Sequence, residues 1–597
     1  MEQRHAVLWL RWLLFLVVMA IGCGDEGTVV VIEPNVESVF AINDNGMVTL
    51  GWTAWEDGTP DEIDVHRSSV ADFTPSGTTY YSTLPGGSTR FDDVGVTNGS
   101  HYYYRLVPIE ISDRGQRLSG TPSNIAIGRP YDYTAISEIT YTEHIQPIFT
   151  SSCAVHGCHV GYEDVAPDKH PRILKTAHGG QFSLRSWDEL FQGSTDGAVA
   201  IPFKSSKSDL VLHANSDTLI APVSDPHMPL PGFNLPSAQI ATLIQWIDDG
   251  AKDDFGEIPY SVTPLGKMLV ACSSEDLIAV IDVQTNLLIR YINVGSSADP
   301  TAPFGTPHHV KVDPTGQHFY ATLINSQQLW KFSSTTYELE GTVGIPFQPA
   351  DLTFSPTGDT AYVTSFTSNP GLVTLVDTRT MRALGSIYPP FSSLPHGIVI
   401  SHDASKLFVT NAGSGNVAMI NTADNSASLI ALDTLGNPFS SVSPYLVDLT
   451  PDDRYLFVTD YAQGGENVYI IDLVSDPTKP SYVIPIGGRS VHVAVTPDGQ
   501  SAFVCNLTTN SVHVISIPDF SVTTIANVGK QPHGVLFTPD GTKAYVTTEN
   551  ILDPDPPHHP SSSSVGVSYV YVIDVASLQI LQEIEIGAFG AGIAFLP

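Results

Sequence analysis

A repeated strand pattern in residues 261–597 is the feature that most constrains the fold. A strand that ends in Pro-Asp-Gly or a variant is followed by an aromatic-Val-Thr strand, and the third signal, a strand of the Val-Ile-Asp type, appears at residues 280–282, 470–472 and 572–574. The proline position of the first signal falls at Pro314, Pro356, His402, Pro451, Pro497 and Pro539. Units of about 40–50 residues with four short strands each predict a β-propeller.

The array holds six complete units and a seventh that is split between its two ends. Residues 269–271 and 278–282 open the array, while residues 592–595 supply the missing strand. Because a first and a last strand that share one blade leave no free sheet edge, we predict a closed ring of seven blades over residues 261–597. The motifs resemble those of the YVTN repeat family, and this resemblance implies the same seven-bladed propeller.

Composition narrows the class of partner. The chain has 597 residues, with 27 Lys and Arg against 62 Asp and Glu, which gives a formal net charge of −35. Nucleic-acid binding needs a basic face, so we expect no nucleic acid among the partners. A hydrophobic share of 42% with 15% charged residues excludes global disorder, and we predict a mainly β multidomain protein.

The first 23 residues have the form of an export signal. Arg4 and Arg11 precede an apolar run over residues 12–22, which is shorter than the roughly 20 residues of a membrane-spanning helix. The run ends in Ala-Ile-Gly-Cys, which resembles the lipobox of bacterial lipoproteins. This resemblance implies that Cys23 is diacylated and anchors the protein to a membrane, either periplasmic or at the outer membrane and cell surface. The alternative is an ordinary cleaved signal, and both predict export.

Residues 34–130 alternate polar and apolar residues in short runs between turn signals such as Asn98-Gly99. The segment resembles a fibronectin type III domain, in which Trp52 takes the place of the buried strand tryptophan and Tyr102 that of the corner tyrosine. The resemblance implies a β-sandwich that acts as a spacer or binding surface. Another small β-sandwich is the alternative.

Residues 135–256 contain the only helical pattern in the sequence. Ile240, Leu243, Ile244 and Ile247 form one apolar helix face, with Ser237 as N-cap and Gly250 as the stop. A shorter helix is predicted over residues 141–149. The long, loop-rich stretch between the two helices has too little apolar sequence to form a core of its own.

A Cys-x4-Cys-His motif at Cys153, Cys158 and His159 lies in this stretch. It resembles the haem attachment motif of c-type cytochromes, whose commoner spacing is Cys-x2-Cys-His. The resemblance implies a small all-α cytochrome c-like domain over residues 135–256 with one covalent haem c, two thioether cysteines and His159 as the proximal iron ligand. A structural zinc site and a Cys153–Cys158 disulfide are the alternatives.

The sixth ligand of such a haem is commonly a methionine thioether. Met228 lies in a proline-rich loop between the haem motif and the last helix, and the resemblance assigns this role to it. His227 beside it is the second candidate, and an open sixth position is the third.

A second group of histidines falls on the propeller strands. The residues six positions before each of the six proline positions, together with the matching residue of the split blade, make seven equivalent sites. Three of these sites carry His308, His396 and His533, and His309 and His492 each lie one residue after such a site. Histidines that converge in a propeller channel could bind copper, zinc or another cofactor. The repeats also resemble the copper-binding propeller of nitrous oxide reductase, although this chain lacks an assignable full ligand set. The alternative is that Pro-His-Gly is only a favoured turn.

The other two cysteines, Cys272 and Cys505, fall at matching strand positions of different repeats, where we expect buried, unreactive side chains.

Three functions follow from these patterns. The first is a lipid-anchored electron-transfer protein whose single haem exchanges electrons with an unidentified partner protein. The second is a periplasmic oxidoreductase with a second cofactor or metal in the propeller. The third is an adhesion or scaffold lipoprotein without redox chemistry. Whether the protein is an enzyme stays open at this point, and the first function is the one that we predict.

Overall fold

The computed structural model describes residues 39–52, 58–155, 159, 182–194, 197–224, 226–229, 232–299, 301, 304–368, 370–390, 392–433, 436–437, 440–552 and 566–597. The predicted export signal, its lipobox and Cys23 lie outside the described residues, as does Cys158. Among the residues that are described, no helix is long and apolar enough to cross a bilayer.

The chain is mainly β, as its sequence predicts, and it divides into two compact units. The first unit comprises Trp52–Phe91 and Tyr102–Ile125 together with Val39. The second comprises Phe40–Gly51, Asp92–His101 and Ala126–Pro597.

The N-terminal residues form eight strands. They are β1 (Val39–Asp44), β2 (Met47–Trp52), β3 (Glu62–Ser68), β4 (Tyr80–Pro85), β5 (Arg90–Asp93), β6 (Tyr102–Ile111), β7 (Arg117–Ser119) and β8 (Ala126–Gly128). One sheet follows the order β1-β2-β5, and another follows the order β4-β3-β6-β7.

Two aromatic side chains fill the first unit. Trp52 is buried, as expected for a strand tryptophan. In β6 the fully buried tyrosine is Tyr104, whereas Tyr102 is partly exposed and its ring lies 5.3 Å from the guanidinium carbon of Arg67. Fibronectin type III character therefore stays a prediction for this part of the chain.

The described residues of the second unit include five short α-helices. They are α1 (Gln146–Ser152), α2 (Trp187–Leu190), α3 (Asp209–Ala214), α4 (Ser237–Asp248) and α5 (Gly295–Ala298). A π-helical turn, Tyr141–Ile145, leads directly into α1. Helix α4 buries Ile240, Leu243 and Ile247, the predicted apolar face, against a core that includes α1 and α3.

The sequence assigns N-capping of α4 to Ser237, but the N-cap position is occupied by Pro236, and Ser237 is the first helical residue. Most of the chain between α1 and α2 lies outside the described residues, so a cytochrome c-like domain stays a prediction here.

Twenty-eight strands follow. They are β9 (Lys267–Cys272), β10 (Leu277–Asp282), β11 (Leu288–Asn293), β12 (Pro307–Val312), β13 (His318–Leu323), β14 (Gln328–Ser333), β15 (Leu339–Gly344), β16 (Gln348–Phe354), β17 (Thr360–Phe366), β18 (Leu372–Asp377), β19 (Arg382–Ile387), β20 (Pro395–Ile400), β21 (Lys406–Asn411), β22 (Asn416–Asn421), β23 (Ala427–Ala431), β24 (Pro444–Leu449), β25 (Tyr455–Asp460), β26 (Asn467–Asp472), β27 (Tyr482–Pro485), β28 (Ser490–Val495), β29 (Ser501–Asn506), β30 (Ser511–Ser516), β31 (Val522–Ala526), β32 (Pro532–Phe537), β33 (Lys543–Thr548), β34 (Ser568–Asp574), β35 (Ile580–Ile586) and β36 (Gly590–Leu596).

These strands form seven four-stranded antiparallel sheets. Six sheets use consecutive strands, from β12–β15 to β32–β35, and the seventh has the order β11-β10-β9-β36. Strand β36 pairs with β9 and also lies beside β12 and β32. Each sheet therefore places one edge strand, called its inner strand, beside those of the neighbouring sheets, and the inner strands form a closed ring. The split blade is thus the one that the sequence predicts.

The turn that ends each inner strand explains the Pro-Asp-Gly signal. Gly499 and Gly541 adopt left-handed conformations, with φ of 68° and 69°, which glycine tolerates without strain. Where the signal varies, the equivalent residues Ala404 and Asp453 hold the same conformation, with φ of 59° and 56°.

The threonine of the aromatic-Val-Thr signal joins neighbouring blades. Thr364 accepts a hydrogen bond from the Asp351 amide on its own inner strand and donates one to the His396 carbonyl on the next. Four further threonines repeat this arrangement, namely Thr322, Thr410, Thr459 and Thr547. The acceptor carbonyls belong to the positions that lie six residues before the proline, so this motif fixes those positions at the centre of the ring.

The two propeller cysteines are both fully buried, as predicted. Their matching positions are not confirmed, because strand register aligns Cys272 with Asn506, while Cys505 takes the place of the bridging threonine. Burial raises the pKa of the Cys272 thiol to about 12, so this side chain is an inert packing residue.

Candidate functional site

A cavity in the helical part of the second unit gathers the residues of the predicted haem site. Its empty volume is about 790 Å³, a figure that includes space open to solvent. Its lining combines Cys153, His159 and Met228 with mostly apolar neighbours, among them Phe182, Leu184, Val199, Leu210 and Ala214. The sequence predicted these three residues for one site, and the structure brings them to one cavity.

Helix α1 positions the first part of the site. Cys153 follows its last residue, and the Cys153 amide donates to the Phe149 carbonyl at 2.8 Å. The amide of His159 donates in turn to the Cys153 carbonyl at 3.1 Å, which holds these two residues of the motif together.

The His159 imidazole is set up to remain neutral. Its ring stacks on Phe182 with centroids 4.2 Å apart, and burial, aided by the nearby His213, lowers the pKa of His159 to about 4. The ring nitrogens of His159 form no hydrogen bond with the residues that the structure describes. A neutral imidazole with an available nitrogen is the form that binds metal ions.

Met228 reaches the cavity from the loop after α3. Its amide donates to the His213 carbonyl at 2.9 Å, which ties the loop to the helix. Neighbouring His227 is engaged elsewhere, because its Nδ1 contacts the His213 carbonyl at 3.0 Å and its Nε2 contacts Oδ1 of Asn234 at 2.8 Å. Met228 is therefore the member of this pair that lines the cavity.

His213 is a cavity residue that the sequence analysis missed. Its Nδ1 lies 2.9 Å from the Pro226 carbonyl, an arrangement in which Nδ1–H donates and Nε2 keeps its lone pair. The only sequence signal was a histidine at the end of the short apolar run Leu210–Leu212, and nothing in that run places the ring beside His159.

The propeller channel holds the second histidine group. His308, His396 and His533 come from three different blades, yet the His308 ring centroid lies 5.3 Å from that of His396 and 5.7 Å from that of His533. The Nε2 atoms of His308 and His396 are 3.2 Å apart. The three residues therefore converge as their repeat positions predict.

Close approach of the inner strands explains the Pro-His-Gly pattern better than a turn does. A Cβ atom on Gly397 would lie 2.7 Å from the Tyr445 carbonyl, and one on Gly534 would lie 2.7 Å from the Ala591 carbonyl. Both glycines belong to strands, so the pattern records backbone crowding at the channel.

Two carboxylates lie against these histidines. Nδ1 of His309 is 3.0 Å from Oδ1 of Asp351, and Nε2 of His533 is 3.9 Å from Oε1 of Glu549. Burial lowers the pKa of His396 and of His533 to about 3, and burial raises the pKa of Glu549 to about 7. In the described part of the chain, no three His, Cys, Asp or Glu side chains are already arranged around one metal position.

Comparison with known proteins identifies the propeller. Residues 360–551 match the family model described as Lactonase, 7-bladed beta-propeller. This part of the chain is similar to seven-bladed propellers. No curated protein sequence matches the chain.

Two solved structures are similar over about half of the chain. Hydrazine synthase of Kuenenia stuttgartiensis is 19% identical, with a TM-score of 0.38, and the match covers 45% of this chain and 76% of that one. A functionally unknown protein from Desulfotomaculum acetoxidans DSM 771 is 13% identical, with a TM-score of 0.43, and the match covers 55% of this chain and 98% of that one.

Proposed function

We propose that the protein is an exported, lipid-anchored c-type cytochrome that carries one covalent haem and transfers electrons to or from a partner protein. The observation that carries this proposal is the single cavity lined by Cys153, His159 and Met228. Cys23 is the residue to which the lipid would be attached.

The chemistry of the cavity fits a haem. Apolar side chains dominate the lining, which suits the porphyrin, and the His159 imidazole has a nitrogen available for iron. Cys153 supplies one thioether, and Cys158 would supply the other. The haem itself contributes one-electron chemistry, while the residues of this chain hold it, exclude water and set its potential.

Two side chains compete for the sixth iron position. Met228 would give a thioether ligand and a higher potential, whereas His213 would give bis-histidine ligation and a lower one. The apolar wall beside Met228 and the carbonyl contact of the Met228 amide favour the thioether, which is also the ligand that the sequence predicts.

Covalent attachment is the property to test first. The chain is produced in a host that matures c-type cytochromes, then denatured, and its intact mass and reduced pyridine spectrum are measured. One haem mass per chain is expected, and it should be absent when Cys153→Ser and Cys158→Ser are combined. Cys505→Ala is the matched control, because this cysteine is buried in the propeller and should leave attachment unchanged. A wild-type chain without covalent haem would overturn the proposal and favour the scaffold function.

The sixth ligand is tested by substitution on a folded, haem-loaded chain. Met228→Leu should remove the long-wavelength Met–iron charge-transfer band and lower the potential, whereas His213→Leu should leave the band in place. Met419→Leu on β22 is the control. If the band survives in Met228→Leu, the assignment of Met228 is wrong.

A further inference from the structure

Two imidazoles in the propeller channel already stand at the separation of two ligands on one metal ion. Zn–N bonds of about 2.0–2.1 Å in tetrahedral geometry place two ligating nitrogens about 3.3 Å apart. The Nε2 atoms of His308 and His396 are 3.2 Å apart. Both residues are buried, so this spacing belongs to the interior of the ring and not to a solvated surface.

His309 lies beside this pair but is not yet in the position of a third ligand. Its Nδ1 contacts the Asp351 carboxylate at 3.0 Å, which places the proton on Nδ1 and leaves Nε2 with a lone pair. Nε2 of His309 is buried and has no hydrogen-bond partner among the described residues. The His309 ring centroid lies 4.9 Å from that of His308, near the separation of about 5 Å for imidazoles on one tetrahedral ion, whereas its distance to that of His396 is longer, at 6.1 Å.

The channel also leaves other buried imidazole nitrogens without partners. They are Nδ1 of His396, His492 and His533. A buried polar atom without a partner is energetically costly, so such a group in a native interior calls for a bound water or ion.

We propose that His308, His309 and His396 bind one divalent transition-metal ion of the zinc or copper class, and that Asp351 orients His309. His309 is the side chain that turns to complete the set, because in the part of the chain that is described no three ligand groups already converge. Three imidazoles leave a fourth position open to water or a small ligand. His533 belongs to the same channel, with its ring centroid 5.7 Å from that of His308, and it contacts Glu549.

The test uses the full chain with Cys153→Ser and Cys158→Ser, so that the thiols of the haem motif cannot bind the probe metal. Because this variant has no cysteines to which haem could attach, the result for Zn²⁺ binding does not depend on whether the haem proposal is correct. The chain is stripped with EDTA and titrated with Zn²⁺ in the presence of a chromophoric chelator. We expect one Zn²⁺ per chain, and Co²⁺ in its place should give the intense visible absorption of a tetrahedral site.

Each of His308→Ala, His309→Ala and His396→Ala should weaken Zn²⁺ binding by at least about 100-fold, and Asp351→Asn should weaken it by about 10–100-fold. The control is His402→Asn, which removes a histidine from the propeller surface and should leave the affinity unchanged. Circular dichroism and thermal melting of every variant establish that it folds.

A wild-type channel that binds no Zn²⁺ at micromolar concentration would overturn the proposal. Full binding in a folded variant that combines His308→Ala, His309→Ala and His396→Ala would overturn it as well. If His309→Ala retains full affinity while His533→Ala loses it, the proposed ligand set is wrong.

Discussion

The two histidine sites of this protein are held by different kinds of structure. In the propeller channel, His308, His396 and His533 occupy equivalent positions of a repeat, and bridging threonines tie the inner strands together. In the helical cavity, Cys153 directly follows α1, and the described residues His159 and Met228 belong to no helix or strand. The channel positions are therefore set by strand register, whereas no repeat fixes the residues of the cavity.

This difference assigns separate roles to the two sites. The covalent haem proposed for the cavity would supply packing of its own between the helices, which suits that site. A pre-formed ring of strands can hold bare imidazoles close together without such a cofactor, which suits a small ion. We therefore predict that a substitution that disrupts the cavity leaves metal binding in the channel unchanged, and that a substitution in the channel leaves haem attachment in the cavity unchanged.

Removal of the closing strand should produce the largest effect. Deletion of residues 590–597 takes away β36, exposes an edge of β9 and opens the ring between β12 and β32. We expect loss of cooperative propeller unfolding and of Zn²⁺ binding, measured by urea denaturation and metal titration, while covalent haem attachment persists.

Leu581→Asn on the exposed strand β35 is the control for this deletion, and it should change the free energy of unfolding by less than about 0.5 kcal/mol. A deletion variant that keeps wild-type Zn²⁺ affinity would contradict the view that strand register builds the channel site.

The propeller was predictable because its signals are local and repeated. Turn residues such as Gly499 and bridging threonines such as Thr364 recur at fixed offsets, and counting from them located His308, His396 and His533. The contact of His309 with Asp351 was not predictable, since it joins neighbouring blades through side-chain rotamers that no repeat records.

The helical cavity shows the opposite case. The Cys-x4-Cys-His motif pointed to its chemistry, and periodicity located α4, but the placement of His213 beside His159 arises from tertiary packing. The shift of burial from Tyr102 to Tyr104 has the same origin, because a strand of consecutive tyrosines carries no signal for the residue that enters the core.

An intermediate effect is expected from Trp246→Ala on α4. The Trp246 indole is buried, and its ring centroid lies 5.7 Å from that of Tyr141. Its Nε1 donates a hydrogen bond to the Lys252 carbonyl at 2.8 Å. Loss of a buried tryptophan costs about 3–5 kcal/mol. Hydrogen exchange should show faster opening of residues 141–152 and 237–248, with propeller strands unchanged.

Gln245→Ala on the exposed side of the same helix is the matched control and should have no measurable effect. If hydrogen exchange becomes faster by the same factor in the helical segment and in the propeller strands, the two regions open as one body. That result would contradict the independence of the two sites.

The smallest effect is expected where the two regions touch. The Lys207 ammonium donates to both carboxylate oxygens of Glu275 at 2.9 and 3.0 Å, and Glu275 also accepts from the Ala588 amide at 3.0 Å. The side chains of Lys207 and Glu275 are only 15% and 5% exposed, so removal of one charge leaves a poorly solvated partner. We expect Lys207→Met to lower the free energy of unfolding by about 1–3 kcal/mol, because the Ala588 amide still compensates part of the carboxylate charge.

The double variant Lys207→Met with Glu275→Gln should recover part of this loss, since it removes the carboxylate charge that Lys207 no longer balances. Urea denaturation of the wild type, of both single variants and of the double variant measures the coupling. Covalent haem and Zn²⁺ binding should persist in each of them. If Lys207→Met alone abolishes either, the pair transmits structure between cavity and channel, and the two sites are not independent.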